Sequence, residues 1–289
     1  MLSVRSLRIG YGDEPVLEGL DLDLRPGEFA SLVGPSGSGK STLLRAIAGL
    51  HQPDAGAISR DVAPAEIGFL FQDDALLPWR SVAHNAALGL TIRGVPRREA
   101  RQRSQRWLDR LGVGPLANRW PRQLSGGQRK RVAIAQVLAL EPRLLLMDEP
   151  FASLDAIVRH RVTSDLLGWV EHAGITVLLV THDLEEALAL GDRVHLLPAG
   201  PRAQVAASYD VELPRPRDPL AAKATPRFAE LLPRLWADLE RVSDAPAHTQ
   251  DDDGAPTTRA SPGTHAAGGA SPEEASRRHD ERAERVAAR

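Results

Sequence analysis

The sequence predicts an α/β fold with a mostly parallel core sheet, an N-terminal antiparallel β subdomain and an inserted helical subdomain. Three apolar segments, at 29–34, 144–150 and 175–183, each lead into a stretch with helical spacing, which is the pattern of buried parallel strands. Apolar and polar residues alternate before the first segment, as in strands with one solvated face. An arginine-rich region with helical periodicity separates the first segment from the second, so we expect a helical insertion.

The composition indicates a globular protein with enough apolar residues for a sizeable core, since 42 % of the 289 residues are hydrophobic. Lysine and arginine nearly balance aspartate and glutamate, and the formal net charge is -2, so we expect no general attraction to nucleic acid. No apolar run reaches the roughly 20 residues of a membrane-spanning helix. The sequence contains no cysteine and no secretion-signal pattern, and we therefore expect a cytoplasmic protein.

The first strands are predicted in residues 3–24, where two alternating runs flank the turn YGDEP. Such runs indicate antiparallel strands that cover one side of a core. Tyr11 opens this turn, and its ring is suited to stacking on an adenine base. Packing at a sheet edge is an equally consistent role, and the local sequence does not decide between the two.

The next strand ends in a glycine-rich loop, FASLVG followed by PSGSGKST, and a helix follows the loop. The pattern G-x-x-x-x-G-K-[ST] in this context predicts a phosphate-binding loop. Backbone N–H groups wrap the phosphates, the lysine reaches the β and γ oxygens, and the serine after it can hold magnesium. The predicted nucleotide-binding residues here are Gly34, Pro35, Ser36, Gly37, Ser38, Gly39, Lys40, Ser41 and Thr42, and Ser41 is also a predicted metal ligand.

An acidic pair ends the second apolar segment, LLLMDEP. Asp148 is predicted to order the water shell of a metal ion, and Glu149 to polarise the attacking water. An acidic pair alone would more commonly mark a strand that ends at the surface. The phosphate-binding loop earlier in the chain favours the catalytic interpretation.

Two further strand ends carry candidate catalytic residues. His182 follows ITVLLVT, and Gln72 follows IGFLF; ligands of open α/β sheets collect at such carboxyl ends. His182 is predicted to contact the γ-phosphate, and Gln72 to bind the metal and the attacking water. The alternative for both is an ordinary hydrogen-bonded or solvated residue at the end of a strand.

A second glycine pair lies in LSGGQ, at the start of the helix-like segment QRKRVAIAQVLAL in the predicted helical subdomain, about 76–139. A helix N-terminus carries partial positive charge and unpaired N–H donors, so this segment predicts a second anion site. The alternative is a simple helix cap built from serine and glycine. The predicted ligands are Ser125, Gly126, Gly127 and Gln128.

The chain is predicted to divide into an ATPase-like domain at 1–215, a short C-terminal helical extension at 216–241 and a disordered tail at 242–289. The tail is rich in Ala, Asp, Pro, Ser, Thr and Gly. Such a composition buries too little apolar area to offset the entropy of ordering the chain.

Taken together, these motifs resemble the ATP-binding cassette (ABC) ATPases in order and spacing over about residues 1–205. The resemblance implies a P-loop NTPase fold of ABC type, with ATP and Mg²⁺ as cofactors and Asp155, in SLD, as a further nucleotide-site residue. It implies a head-to-tail homodimer in which LSGGQ of one chain closes over the ATP held by the other. Gln136 departs from the arginine that is common at its position in the family, but no phosphate-contacting position is affected.

The single cassette without a membrane segment is most similar to the detached ATPase of an importer. This implies transmembrane permease subunits and, indirectly, a periplasmic or lipoprotein solute-binding protein, with the chain at the cytoplasmic face of the inner membrane. DDALLPWRSVAHNAALGL resembles the nitrate, sulfonate and taurine importer group, and within it we expect aliphatic sulfonates; nitrate, taurine and a thiamine precursor stay open. Residues 76–79 would contact the permease or form the helical subdomain's own core. The alternative class is a non-transport ABC ATPase that acts on nucleic acid or the ribosome.

Overall fold

The computed structural model describes residues 1–11, 14–152 and 154–244. Most of the predicted tail, residues 245–289, lies outside this part, as do 12, 13 and 153. The strands are β1 (Leu2–Tyr11), β2 (Glu14–Leu24), β3 (Phe29–Val33), β4 (Ala55–Arg60), β5 (Ile67–Leu70), β6 (Leu144–Asp148), β7 (Thr176–Thr181), β8 (Arg193–Leu196) and β9 (Ala207–Asp210). The helices are α1 (Lys40–Ile47), α2 (Val82–Ala86), α3 (Leu88–Ile92), α4 (Arg97–Arg110), α5 (Gly126–Leu138), α6 (Ala156–Ala173), α7 (Leu184–Leu190), α8 (Pro219–Lys223) and α9 (Pro226–Asp244).

The core sheet has the strand order β5-β6-β7-β3-β8-β9. Its first five strands are parallel, and β9 runs antiparallel to β8 at the edge. Every residue of β3, β6 and β7 is buried, because helices cover both faces of a parallel sheet. The predicted α/β fold with a mostly parallel core sheet is confirmed.

The N-terminal sheet is antiparallel, with β1 between β2 and β4. Its alternating sequence places Val4, Leu7 and Ile9 of β1 in the interior. These side chains join one apolar cluster with Leu43 and Leu44 of α1. The N-terminal sheet and the helix that follows the phosphate-binding loop therefore share one apolar core.

Helices α2 to α5 lie between β5 and β6 in the chain, in the region predicted as a helical subdomain. Trp107 and Leu108 of α4 and Val132 and Ile134 of α5 are buried in a shared core cluster. That cluster also contains Val177 of the core sheet. The helical region thus packs on the sheet through apolar contacts, and most of the α4 arginines are exposed.

The C-terminal helices α8 and α9 occupy the predicted extension, and α9 continues to Asp244. Phe228, Leu231 and Leu235 of α9 are buried in a cluster with residues of α7. The segment before α8 is fastened by Arg217, which donates to Leu190 O at 2.7 Å and to Asp192 Oδ1 at 2.6 Å. Within the described ranges, no helix combines the length and apolar composition needed to cross a membrane.

Candidate active site

The predicted site residues of the core sheet meet at one edge. Strands β6, β7 and β3 are neighbours, and Val33 is in register with Thr181. Gly34, Glu149 and His182 each stand directly after the last residue of one of these strands. Parallel strands place their carboxyl ends at the same edge of a sheet. The structure therefore brings the glycine loop, the acidic pair and the histidine together.

Packing against the rest of the chain requires glycine at two positions of the loop. A Cβ on Gly34 would overlap the carbonyl oxygen of Leu197. Gly39 has a φ of 91°, and a Cβ there would lie 2.7 Å from Leu17 and 2.8 Å from Val16. A left-handed backbone and close side chains both exclude larger residues. The loop is thus shaped by the residue that follows β8 on one side and by the N-terminal sheet on the other.

Lys40 is held inside this loop. Its ammonium donates to Gly34 O at 2.8 Å, to Pro35 O at 2.6 Å and to Ser38 Oγ at 3.1 Å. Burial lowers the pKa of Lys40, and the carboxylates of Glu149 and Asp148 oppose that shift. A buried ammonium surrounded by neutral oxygens gains most from an anionic partner, so the loop is suited to a phosphate group.

Helix α1 begins at Lys40, immediately after the loop, and its first turn contains no acidic residue. Its N-cap residue is Gly39, which has no side chain to accept from the helix N–H groups. The partial positive charge of the N-terminus therefore lacks a protein anion from the cap or first turn. This is the arrangement in which helix N-termini bind phosphate.

Two oxygen ligands suitable for a hard cation lie beside the loop. Ser41 Oγ donates to Asp148 Oδ1 at 3.0 Å, and Asp148 is 4 % exposed. Burial raises the pKa of Asp148, while the hydrogen bond from Ser41 opposes this. A hydroxyl and a carboxylate are oxygen donors of the kind that Mg²⁺ prefers. The residues present therefore fit the predicted metal, and Ser41 and Asp148 are its candidate protein ligands.

Glu149 and His182 face each other across the ends of β6 and β7. His182 Nδ1 lies 3.2 Å from Glu149 Oε1, and their side chains are 61 % and 19 % exposed. Glu149 has a φ of 46°, and its N–H donates to Val180 O at 2.9 Å. Left-handed backbone costs a non-glycine residue about 1–2 kcal/mol. The hydrogen bond to the neighbouring strand holds Glu149 in this conformation.

Gln72 lies in the loop 71–75 that follows β5, next to β6 in the sheet, and is exposed. Its carbonyl oxygen accepts from Lys130 Nζ at 2.7 Å. Tyr11 ends β1 and is 58 % exposed. Its ring centroid lies 5.2 Å from that of His51, an aromatic neighbour that the sequence analysis missed. Both side chains are open to an approaching ligand, and their roles stay predictions.

Ser125 is the N-cap of α5 and forms a capping box with Gln128. Gln128 N donates to Ser125 Oγ at 3.3 Å, and Ser125 N donates to Gln128 Oε1 at 3.0 Å. A Cβ on Gly126 would meet only Arg129 Nη2, at 3.8 Å, within the described chain. Packing inside the chain therefore does not require glycine at 126, which agrees with a surface kept clear for an external ligand.

Asp155 has a local structural role in the described chain. It is the N-cap of α6, and its Oδ1 accepts from Val158 N at 3.0 Å. Among the hydrogen bonds and ion pairs of the described residues, none joins Asp155 or 125–128 to the loop 34–42. The structure thus brings together Lys40, Ser41, Asp148, Glu149 and His182, and it does not connect them to Asp155 or to the glycine pair of α5.

The loop, the uncapped helix and the oxygen ligands define a P-loop nucleotide-binding protein. The family model described as ABC transporter matches residues 17–152. The chain is 44 % identical over 250 residues to the aliphatic sulfonates import ATP-binding protein SsuB of Ralstonia nicotianae, covering 82 % of this chain and 84 % of that protein. This chain belongs to the ABC transporter family, as one of its ATPase cassettes.

Two further relatives are informative. The nitrate import ATP-binding protein NrtC of Synechococcus elongatus is 43 % identical over 229 residues, which cover 77 % of this chain and 35 % of that protein. The dimeric structure of MJ0796, a bacterial ABC transporter cassette, superposes with a TM-score of 0.67 at 32 % identity, covering 74 % of this chain and all of that one. A post-hydrolysis state of the same cassette, bound to ADP and Pi, gives a TM-score of 0.66 at 32 % identity.

Proposed function

We propose that this chain is the ATP-hydrolysing subunit of an importer of aliphatic sulfonates. One observation supports the substrate assignment: the similarity to the sulfonate import protein of Ralstonia nicotianae extends over 82 % of this chain and 84 % of that protein. With 250 aligned residues, the similarity extends well beyond the nucleotide-binding motifs. The ATPase class itself rests on the family and on the geometry of the P-loop.

Each residue of the site has its own proposed role in ATP hydrolysis. Lys40 and the N-terminus of α1 bind the phosphates, and Ser41 and Asp148 would hold Mg²⁺, which neutralises phosphate charge when bound. Glu149 accepts a proton from the attacking water, because its carboxylate lies at the end of β6 and is only partly exposed. His182 restrains the Glu149 carboxylate at 3.2 Å and points to the same edge of the sheet.

We further propose that two chains share each ATP in a head-to-tail homodimer. The relative MJ0796 has a dimeric structure. In the described part of this chain no hydrogen bond or ion pair joins the glycine pair of α5 to the loop 34–42, and a second chain packed head to tail would bring its own glycine pair to the ATP bound at that loop. Ser125 Oγ accepts from Gln128 N, and its O–H hydrogen stays available for a phosphate oxygen.

The segment 76–79 is proposed to contact the permease mainly through Trp79, which is 68 % exposed. Leu76 packs against the core cluster of the helical region. We therefore propose that Leu76 belongs to the core and that Trp79 contacts the permease. Asn85 is fully buried and fixes the turn, because its Oδ1 accepts from Leu77 N at 2.8 Å and its Nδ2 donates to Arg80 O at 3.0 Å. Docking on a permease would place the chain at the cytoplasmic face of the inner membrane.

The substrate is tested by transport. The chain is expressed with the membrane proteins that co-purify with it, reconstituted in proteoliposomes, and supplied with ATP and a solute-binding protein. We expect ATP-dependent uptake of an alkanesulfonate, abolished by Lys40→Ala. If nitrate is taken up and alkanesulfonate is not, the proposed substrate would be wrong and nitrate would replace it. The 43 % identity to the Synechococcus elongatus protein keeps nitrate open. If nucleic acid is recovered with the chain and no permease is, and if the binding of that nucleic acid weakens steeply with salt, the transport function is contradicted.

A further inference from the structure

Lysine is rare in this chain, which has three lysines and 33 arginines. Lys223 is exposed in an ion pair with Glu185. Lys40 and Lys130 are buried, at 6 % and 2 % exposure. Lys40 belongs to the phosphate-binding loop. The function proposed above gives no role to Lys130, although a buried charge is costly to maintain without a compensating set of contacts.

Among the described residues, the hydrogen bonds and the ion pair of the Lys130 ammonium are all made with the loop 71–75. Its ammonium donates to Phe71 O at 3.1 Å and to Gln72 O at 2.7 Å, and it lies 3.9 Å from Asp74 Oδ1. Arg129 Nε donates to the other carboxylate oxygen of Asp74 at 3.2 Å. Two consecutive residues of α5 therefore hold the backbone and one side chain of this loop.

The type of residue suits this task. A lysine ammonium carries three N–H donors on a compact centre, whereas the planar guanidinium of arginine directs its donors in a fixed fork. Two carbonyl oxygens of one loop accept hydrogen bonds from Nζ here, and a carboxylate oxygen of the same loop lies 3.9 Å from it. Burial lowers the pKa of Lys130, and the carboxylates of Asp74 and Asp73 oppose that shift.

The contacts join two predicted parts of the active site. Lys130 lies five residues after Ser125, in the first turns of α5, and Gln72 bears the side chain predicted to meet the metal and the attacking water. The Gln72 side chain is exposed, so its position depends on the backbone that carries it. That backbone is hydrogen-bonded by Lys130.

We propose that Lys130 is a positioning residue that fixes the Gln72 backbone to the helix of the second anion site, so that Gln72 and the glycine pair of α5 move as one unit. This inference rests on the ATPase function proposed above. It assigns a task to a residue that touches neither nucleotide nor metal. Its loss affects the hydrolysis step, whereas Lys40 and the loop 34–42 keep their affinity for ATP.

A matched pair of substitutions tests it. Lys130→Gln keeps N–H donors, and Lys130→Met keeps the approximate volume without any donor. We expect Lys130→Met to lower kcat by about tenfold to hundredfold with a change in KM for ATP below about threefold, because misplacing a positioning group costs turnover. Lys130→Gln restores most of the lost kcat. Equal kcat in the Met variant and the unaltered protein, or equal losses in both variants, overturns the proposal.

A second measurement does not depend on the folding of Lys130→Met. The chain contains no cysteine, so a spin label at the exposed position Asp73→Cys reports only on the loop 71–75. With Lys130 present, we expect the label to be as immobile as one on an exposed position of α4. In Lys130→Gln, we expect the mobility of the label to rise only slightly. A label with the mobility of an open loop when Lys130 is present overturns the proposal.

The two proposals fail separately. Absence of ATP hydrolysis by the unaltered chain, alone and with its permease, contradicts the ATPase function. Normal hydrolysis by the unaltered chain together with normal hydrolysis by Lys130→Met contradicts the positioning role alone.

Discussion

His182 Nδ1 lies 3.2 Å from Glu149 Oε1, and the two residues follow adjacent parallel strands. The pair is asymmetric, since Glu149 is the more buried partner and its backbone is held in a left-handed conformation. The Glu149 backbone is therefore held by its hydrogen bond to Val180 O, and the imidazole lies against its carboxylate. A base held in this way is already oriented for the water that it activates.

Glu149→Gln is expected to lower ATP turnover by at least about a hundredfold, because an amide cannot accept the proton. Nucleotide binding is retained, since Lys40 and the helix N-terminus are unchanged, and the ATP-bound dimer accumulates. Phosphate release and size-exclusion chromatography with ATP measure the two effects. Glu185→Gln, at an exposed glutamate of α7, is the matched control and stays active. Unchanged turnover in Glu149→Gln would remove Glu149 as the base.

Two inactive variants are expected to restore activity when they are mixed. Lys40→Ala removes the phosphate-binding lysine, and Gly126→Asp places a carboxylate where the partner's phosphate would lie. Asp fits this position in the monomer, because within the described residues a Cβ at Gly126 meets only Arg129 Nη2 at 3.8 Å, and acidic residues favour helix N-termini. In a head-to-tail heterodimer, one site then combines an intact loop with an intact glycine pair.

The mixture is measured by phosphate release at a fixed total concentration. Its control is Lys40→Ala mixed with a chain that carries both substitutions, which yields no intact site. Recovery of activity only in the first mixture supports the shared site. Full hydrolysis by Gly126→Asp on its own would show that one chain is sufficient.

Trp79→Ala is expected to weaken association with the permease and to leave basal hydrolysis and stability nearly unchanged. The side chain is 68 % exposed, so its removal opens no cavity, and exposed aromatic residues often dominate interfaces. Co-purification with the permease measures the effect. Trp236→Ala, on α9 at 51 % exposure, is the matched control. Equal recovery of the permease with both variants would contradict the proposed contact.

The stability of the chain is expected to fall on acidification because of His195. Burial lowers the pKa of His195 to about 4, whereas the unfolded value is about 6.5. As the pH falls below about 6.5, His195 becomes protonated in the unfolded chain but stays neutral in the folded chain. The stabilisation present at higher pH is therefore lost. Between pH 7 and pH 5 this amounts to about 2 kcal/mol.

Urea unfolding at these two pH values measures the loss. His195→Gln is expected to remove most of the pH dependence, and His172→Gln, at an exposed histidine of α6, is expected to retain it. A pH dependence that persists in His195→Gln would assign the effect to other groups.

The sheet, the phosphate-binding loop and the acidic pair were predictable because each depends on a local pattern. Continuous apolar runs predict buried parallel strands, and glycine is required at positions such as Gly34 by one close contact. The meeting of Glu149 with His182 also follows, since carboxyl ends of adjacent parallel strands share an edge. The sequence does not supply the strand order that makes β6 and β7 neighbours; that order depends on packing between distant segments.

Lys130 was missed for a physical reason. Its contacts with Phe71 and Gln72 join segments 59 and 58 residues apart. Helical periodicity places position 130 on the same face of α5 as Ile134 and Val137, but it does not show which distant acceptors meet the ammonium. The rarity of lysine in a chain rich in arginine was the available signal. Asp155 differs from Lys130, because its cap on α6 is a local contact that a sequence pattern can predict. A contact between Asp155 and a partner's nucleotide would require a second chain.

The capping box of Ser125 and Gln128 has a kinetic consequence. The first turn of α5 is already ordered by its own side chains, so no segment there has to fold when a second chain arrives. Association of the two cassettes is then limited by diffusion and mutual orientation, as for preformed surfaces. We therefore expect the rate of ATP-driven closure to depend on chain concentration and on salt, with no slow ordering phase in the glycine segment.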